Sequence, residues 1–292
     1  MEPRTVSLVL GSGGARGLAH IGVIEVLEAR GYEIRAIAGT SMGAVIGGIY
    51  AAGELETYTR WVSALSRTDV LRLLDFTLSP SGLVKGDRII NVLKELIGDR
   101  SIEELPIRFT AVATDVQRQR EVWLRRGSLF DAIRASIAIP TLFTPHVVGG
   151  RPLLDGGILD PVPIAATLQD ETDLTIAVHL GGPPQRQLDP LPPQVEAEGR
   201  LAEYRRRIGR FIERLPWSGN GREQGEGMNF FEIVTKSTET MQNAIANLKL
   251  AVYAPDLLIQ VPRNACTFLE FHRAPELIEI GRRCAERALA RL

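Results

Sequence analysis

The chain has 292 residues, 45% of them hydrophobic, and a formal net charge of -1 from 34 basic and 35 acidic side chains. Such a length can bury a large core in one large domain or two, and the balanced charge gives no reason to expect nucleic acid, which demands a concentrated basic field, as the main partner. Two cysteines, Cys266 and Cys284, lie near the C-terminus without metal-ligand or disulfide spacing, and they read as buried thiols.

In chain order, residues 5–10 form a short apolar run that predicts a buried strand directly behind Met1-Glu-Pro-Arg-Thr5. No basic head or long apolar core precedes it, so a cytoplasmic location is the expectation. Residues 17–30 carry Leu18, Ile21, Val26 and Leu27 in helical order, and residues 34–38 predict a second strand. Met42 to Ala52 is apolar throughout and stops at Gly53, which predicts a buried helix. The longest apolar stretch, residues 44–53, is about half of what spans a bilayer, so no transmembrane helix is expected.

Helical patterns follow at 54–75 and 87–97, separated by a loop at Ser79-Pro-Ser-Gly82. Strands are predicted at 107–112, 121–125, 174–180 and 257–261, with helical segments between several of them. This alternation predicts an α/β fold with helices layered around a mostly parallel sheet. A covering helix is predicted over 274–292 from Leu277, Ile280, Cys284 and Ala288.

One segment breaks the pattern. Pro- and Gly-rich brackets enclose an insert at about 182–227, where Leu201, Tyr204, Ile208, Phe211, Ile212 and Leu215 share a helical face and Arg200, Arg205, Arg206, Arg207, Arg210 and Arg214 supply charge. Two readings stand for it: a helix packed on its own domain or on a second subunit, or a helix lying on an anionic membrane surface.

Two glycine-rich turns carry the chemistry. Gly39-Thr-Ser-Met-Gly43 is a GxSxG motif between a strand and a helix, the setting in which a serine is exposed on a sharp bend as a nucleophile. Gly11-Ser-Gly-Gly-Ala-Arg-Gly17 offers backbone N–H groups at the start of a helix, where a developing oxyanion is favoured. A serine needs a base. His20, His146, His179 and His272 have no distinctive setting, whereas Asp155 in Leu-Leu-Asp155-Gly156-Gly157 places a carboxylate before two glycines, a pattern that also makes ordinary turns. Arg16 reads either as a surface arginine paired with a carboxylate or as a supporting residue of the first turn.

Together, the segments Gly11–Gly17, Gly39–Gly43 and Asp155–Gly157, with Arg134-Ala-Ser-Ile-Ala-Ile-Pro140, resemble the patatin-like phospholipase family, including the esterase domain of neuropathy target esterase. The resemblance spans residues 5–180 and implies a single domain over 1–292 with a three-layer α/β/α fold. It implies a Ser41–Asp155 dyad without histidine, and an oxyanion hole at Gly13, Gly14 and Ala15 with Arg16 close by. The implied activity is hydrolysis of phospholipid or lysophospholipid esters through an acyl-enzyme, without metal or cofactor, with peripheral membrane contact and a homo-oligomer as further expectations. Leu71, Leu73, Leu74, Phe76, Leu142 and Phe143 are candidates for an acyl channel, although core packing is the simpler expectation for each. A lipid-binding or regulatory adaptor on the same fold is the alternative. Nucleotide binding is disfavoured, because Arg16 stands where a GxGxxG fingerprint needs glycine.

Overall fold

Strand β1 (Thr5–Leu10) shows how the layers arise. Alternate side chains of a strand point to opposite faces, and here Val6, Leu8 and Leu10 enter the larger core while Val9 enters a smaller one on the other side. Both faces are therefore covered, as a parallel sheet requires. The computed structural model describes residues 3–79, 82–185 and 230–292.

β1 lies between β2 (Glu33–Thr40) and β9 (Leu174–Gly182), and the parallel part of the sheet runs β10-β9-β1-β2-β5, with β5 at Arg108–Asp115 and β10 at Leu257–Pro262. β6 (Arg120–Leu124) and β8 (Arg151–Asp155) both pair antiparallel with β5, and β7 (His146–Val148) pairs with β8. The expected strands are present, and β7 and β8 are additional to them.

The larger core is roofed by α1 (Ala19–Ala29), α2 (Met42–Ala51), α5 (Asp87–Ile97), α6 (Leu129–Ser136) and the C-terminal α8 (Ala274–Leu289). α2 is buried along almost its whole length, as its unbroken apolar sequence requires. On the opposite face α7 (Phe230–Val252) packs Ala246 and Leu250 against Val9, Val162 and Ala177. The fold is thus three layers, α/β/α. Cys266 and Cys284 are buried free thiols.

The expected helical stretch 54–75 is two helices, α3 (Leu55–Ser63) and α4 (Arg67–Leu73). Ser66 is the reason. Its hydroxyl accepts from the Asp69 amide while the Asp69 carboxylate accepts from the Ser66 amide, a reciprocal cap that starts a new helix. The expected loop at 79–82 is flanked by β3 (Phe76–Ser79) and β4 (Gly82–Val84), which pair antiparallel, and its residues 80 and 81 lie outside the described residues. Of the expected insert, residues 186–227, including the arginine-rich stretch 200–217, lie outside the described residues. Among the described residues no helix is long and apolar enough to cross a membrane.

Candidate active site

Ser41 follows the last residue of β2 and caps α2, with φ 56° and ψ -122°. Such a conformation is costly for a residue with a Cβ, and it persists where the surroundings over-determine it. The Ser41 amide donates to Ser136 Oγ at 2.9 Å, and that hydroxyl donates to the Val112 carbonyl at 2.6 Å. Thr40 Oγ1 donates to the Asp160 carbonyl at 2.8 Å. The bend is pressed so close to β1 that a Cβ on Gly43 would stand 2.0 Å from the Leu10 carbonyl oxygen.

Sheet register brings Asp155 to this serine. Thr40, at the end of β2, is opposite Val112 of β5, and Asp155, at the end of β8, is opposite the next residue, Ala113. Val112 and Ala113 both pair with β6 on their other side, so β8 takes over the edge of β5 where β2 leaves it. Ser41 and Asp155 therefore meet end to end, although 113 positions separate them in sequence.

Asp155 is buried, and its Oδ1 accepts the Gly157 amide at 2.7 Å. Oδ2 has no hydrogen-bond partner of good geometry among the described residues. Burial pushes the carboxyl up to about 6, and the nearby Ser41 hydroxyl and the Gly157 amide restrain that rise. The hydroxyl is thus close enough to act on the carboxylate while falling short of a full hydrogen bond, a looseness common before substrate binds.

The first glycine turn lies across from this pair. Its outer amides are committed: Gly11 donates to Val178 at 3.0 Å, Ser12 to Pro161 at 2.8 Å and Ala15 to Phe268 at 2.9 Å. Gly13 and Gly14 have no backbone acceptor among the described residues, and both line a polar recess with Ser12, Ser41 and Asp155. Of the three amides expected to form an oxyanion hole, Gly13 and Gly14 are free to do so, and Ala15 is withdrawn by its bond to Phe268. Gly17 lies behind this turn against Met42, while Gly39 is buried against Gly43 and Gly156 against the Val112 carbonyl.

Arg16 does not itself line the recess. Its guanidinium donates to the Arg263 carbonyl at 3.0 Å and pairs with Glu239 of α7 at 2.8 Å. His20 is fully buried, with Nε2 donating to the Gly11 carbonyl at 2.9 Å and burial pushing its pKa down to about 4. It braces the glycine turn as a neutral ring. No histidine among the described residues lines the recess.

Next to the recess an apolar cavity opens at Gly14 and Ser41 and runs between α2, α3, α4 and α5, with Val45, Trp61, Val70 and Leu93 among its walls. Leu73, Leu74, Leu142 and Phe143 line it. Leu71 is exposed, and the side chain of Phe76 lies outside the described residues. The polar recess is closed by Thr235, Thr238, Glu239 and Gln242 of α7, residues that sequence reasoning missed along with Ser136 and the bracing role of His20. Their signal was faint: Ala246 and Leu250 of α7, with Tyr253 just after it, recur at helical spacing on the sheet side.

The profile of the patatin-like phospholipase family matches residues 8–168. The chain belongs to this family. An uncharacterised NTE family protein of Mycobacterium tuberculosis is 42% identical over 99% of this chain and 92% of its own length. The lysophospholipase nte1 of Emericella nidulans is 35% identical over 61% of this chain, which corresponds to 12% of that larger protein. A second mycobacterial NTE family protein, also from Mycobacterium tuberculosis, is 35% identical over 68% of this chain and 34% of its own length.

Proposed function

We propose that this patatin-like phospholipase family member is a serine lipid acyl hydrolase in which Ser41 is the nucleophile and Asp155 the base. Family membership and the lysophospholipase relatives support lipid hydrolysis. The observation that carries the finer reading is the meeting of Ser41, Asp155 and the free Gly13 and Gly14 amides at the junction between an apolar cavity and a polar recess.

In this reading the acyl chain enters the cavity and the alcohol side of the ester occupies the recess. Ser41 Oγ attacks the carbonyl carbon as its proton passes to Asp155 Oδ2, the oxygen without another partner. Negative charge on the carbonyl oxygen is held by the Gly13 and Gly14 amides, a contribution worth about 100- to 1000-fold in turnover for one such donor. Collapse of the intermediate expels the alcohol, which takes the proton from Asp155. Water then adds to the acyl-enzyme, giving a proton to Asp155 and returning Ser41 as the fatty acid leaves. This sequence draws on no metal, so EDTA-treated protein is expected to retain its rate.

The test is fatty-acid release from phospholipids, lysophospholipids and nitrophenyl esters by wild type, Ser41→Ala and Asp155→Ala, each shown to be folded. Loss of release in both variants supports the dyad. Wild-type rates in either variant would remove that residue from the mechanism, and an inactive wild type would favour the adaptor.

A further inference from the structure

Five residues beyond Asp155, the backbone groups of two consecutive residues touch the turns that carry Asp155, Ser41 and Gly13. The Asp160 amide donates to the Gly156 carbonyl at 2.8 Å, which closes the turn behind Asp155. The Asp160 carbonyl accepts the Thr40 hydroxyl at 2.8 Å, next to Ser41. The Pro161 carbonyl accepts the Ser12 amide at 2.8 Å, next to Gly13. The base, the nucleophile and the oxyanion donors are thus all referenced to the segment Asp160-Pro161.

The Asp160 side chain adds an ion pair to these hydrogen bonds. The Asp160 side chain is completely buried, and Lys249 Nζ of α7 stands 3.1 Å from its Oδ1. The contact is ionic and not an aligned hydrogen bond, since neither carboxylate oxygen has one. Lys249 also pairs with Glu121 of β6, whose carboxylate is partly exposed. Burial pushes the Asp160 carboxyl up to about 8 even beside the Lys249 ammonium, and without the lysine it would be left without a partner, carrying an isolated charge at high cost or taking up a proton. Lys249 lines neither the recess nor the cavity; it faces a separate groove with Glu121 and Trp123.

We infer that Lys249 is a positioning residue: through Asp160 and Pro161 it sets the mutual geometry of Ser41, Asp155 and the Gly13 and Gly14 amides without touching the substrate. The inference rests on the reading of Ser41 and Asp155 given above. A lysine that merely anchors α7 would affect the melting temperature and leave the rate of the folded enzyme unchanged.

The experiment compares full-length wild type, Ser41→Ala, Lys249→Met, Asp160→Asn and the double variant Lys249→Met/Asp160→Asn. The readouts are hydrolysis of nitrophenyl octanoate, the rate of Ser41 labelling by a fluorophosphonate, and thermal midpoint. Lys249→Met is expected to lower kcat and the labelling rate by about 10- to 100-fold, as small displacements of reacting groups do, with KM within about twofold. The double variant is expected to regain most of that loss, because a neutral amide at position 160 needs no counter-ion. If Lys249→Met does not fold, the Asp160→Asn background carries the test: adding Lys249→Met there should change kcat by less than about threefold. Wild-type kcat in folded Lys249→Met overturns the inference, as does a double variant no better than Lys249→Met, or a large further loss on the Asp160→Asn background. Ser41→Ala separates the two readings. If it is inactive while Lys249→Met is unimpaired, this inference alone fails; if it is fully active, the dyad reading fails and this one with it.

Discussion

In the proposed dyad Asp155 is the base, yet its burial favours the protonated form, and the expected pH dependence follows from that conflict. With the carboxyl pushed up to about 6, kcat/KM for a nitrophenyl ester is expected to rise with pH through about 6 and then level off. A profile that stays flat down to about pH 5 would count against Asp155 as the base. The stability consequence has the opposite sign. The folded-state pKa stands above the ordinary 3.8, so the contribution of proton binding to stability is fully present below that value and is lost as pH rises through about 6. Near neutral pH and above, the buried charge therefore opposes folding, and Asp155→Asn is expected to melt higher than wild type while losing activity. The gain is on the order of 1 to 3 kcal/mol, read as a rise in Tm at about pH 8 that shrinks at about pH 4. At this scale the bends at Ser41 and Asp155 were legible because a polar residue beside glycines marks a turn, whereas their pairing was implied only by the resemblance to the family. Ser136 and His20 were not legible, since each acts by binding a backbone group whose position is set only by the assembled sheet.

At the scale of elements, α3, α4 and α5 decide what the cavity admits. Val70 on α4 lines its wall beside Leu73 and Leu93, and enlarging it should shorten the space without reaching Ser41. Val70→Phe is expected to lower kcat/KM for octanoyl and longer esters by about tenfold or more while acetyl and butyryl esters change by less than about twofold, the scale on which apolar pockets discriminate chain length. An equal loss for every chain length would mean that the substitution damages the fold or the reacting groups, and the cavity would lose its role as acyl site. The helices that form this cavity were readable from their apolar spacing, but their division at Ser66 depended on a reciprocal cap with Asp69. β8 was harder still. It has five residues with Pro152 among them, too short and too broken in pattern to declare itself, and it is a strand because β5 continues past the end of β2. α7 escaped notice because exposed Ile233, Met241, Leu248 and Val252 blur the boundary between its buried and solvent faces.

Across the whole molecule, the C-terminal region supports chemistry contributed by the N-terminal half. The Phe268 carbonyl holds the Ala15 amide, the Arg263 carbonyl holds Arg16, and α8 lies directly on α1, which begins where the glycine turn ends. The alternation of strand and helix along the chain made the layered architecture legible, since period and length report what each segment can bury. It could not show which helix would lie on α1, because that choice depends on two small residues meeting across a distance of more than 250 positions. A Cβ at Gly281 of α8 would stand 2.0 Å from the Ala19 carbonyl oxygen at the start of α1, so even alanine must force the helices apart. Gly281→Ala is therefore expected to cost about 1 to 3 kcal/mol, as overpacking does, and to lower Tm by several degrees. It should also reduce kcat at temperatures where the variant is fully folded, because displacing α1 shifts the Gly13 and Gly14 amides that begin one turn earlier. A variant with lowered Tm but wild-type kcat would show that the glycine turn is held by Val178, Pro161 and Phe268 independently of the α1–α8 contact. Equal effects on kcat for short and long esters would place the damage at the oxyanion donors, which serve every substrate, and not in the cavity, which distinguishes among them.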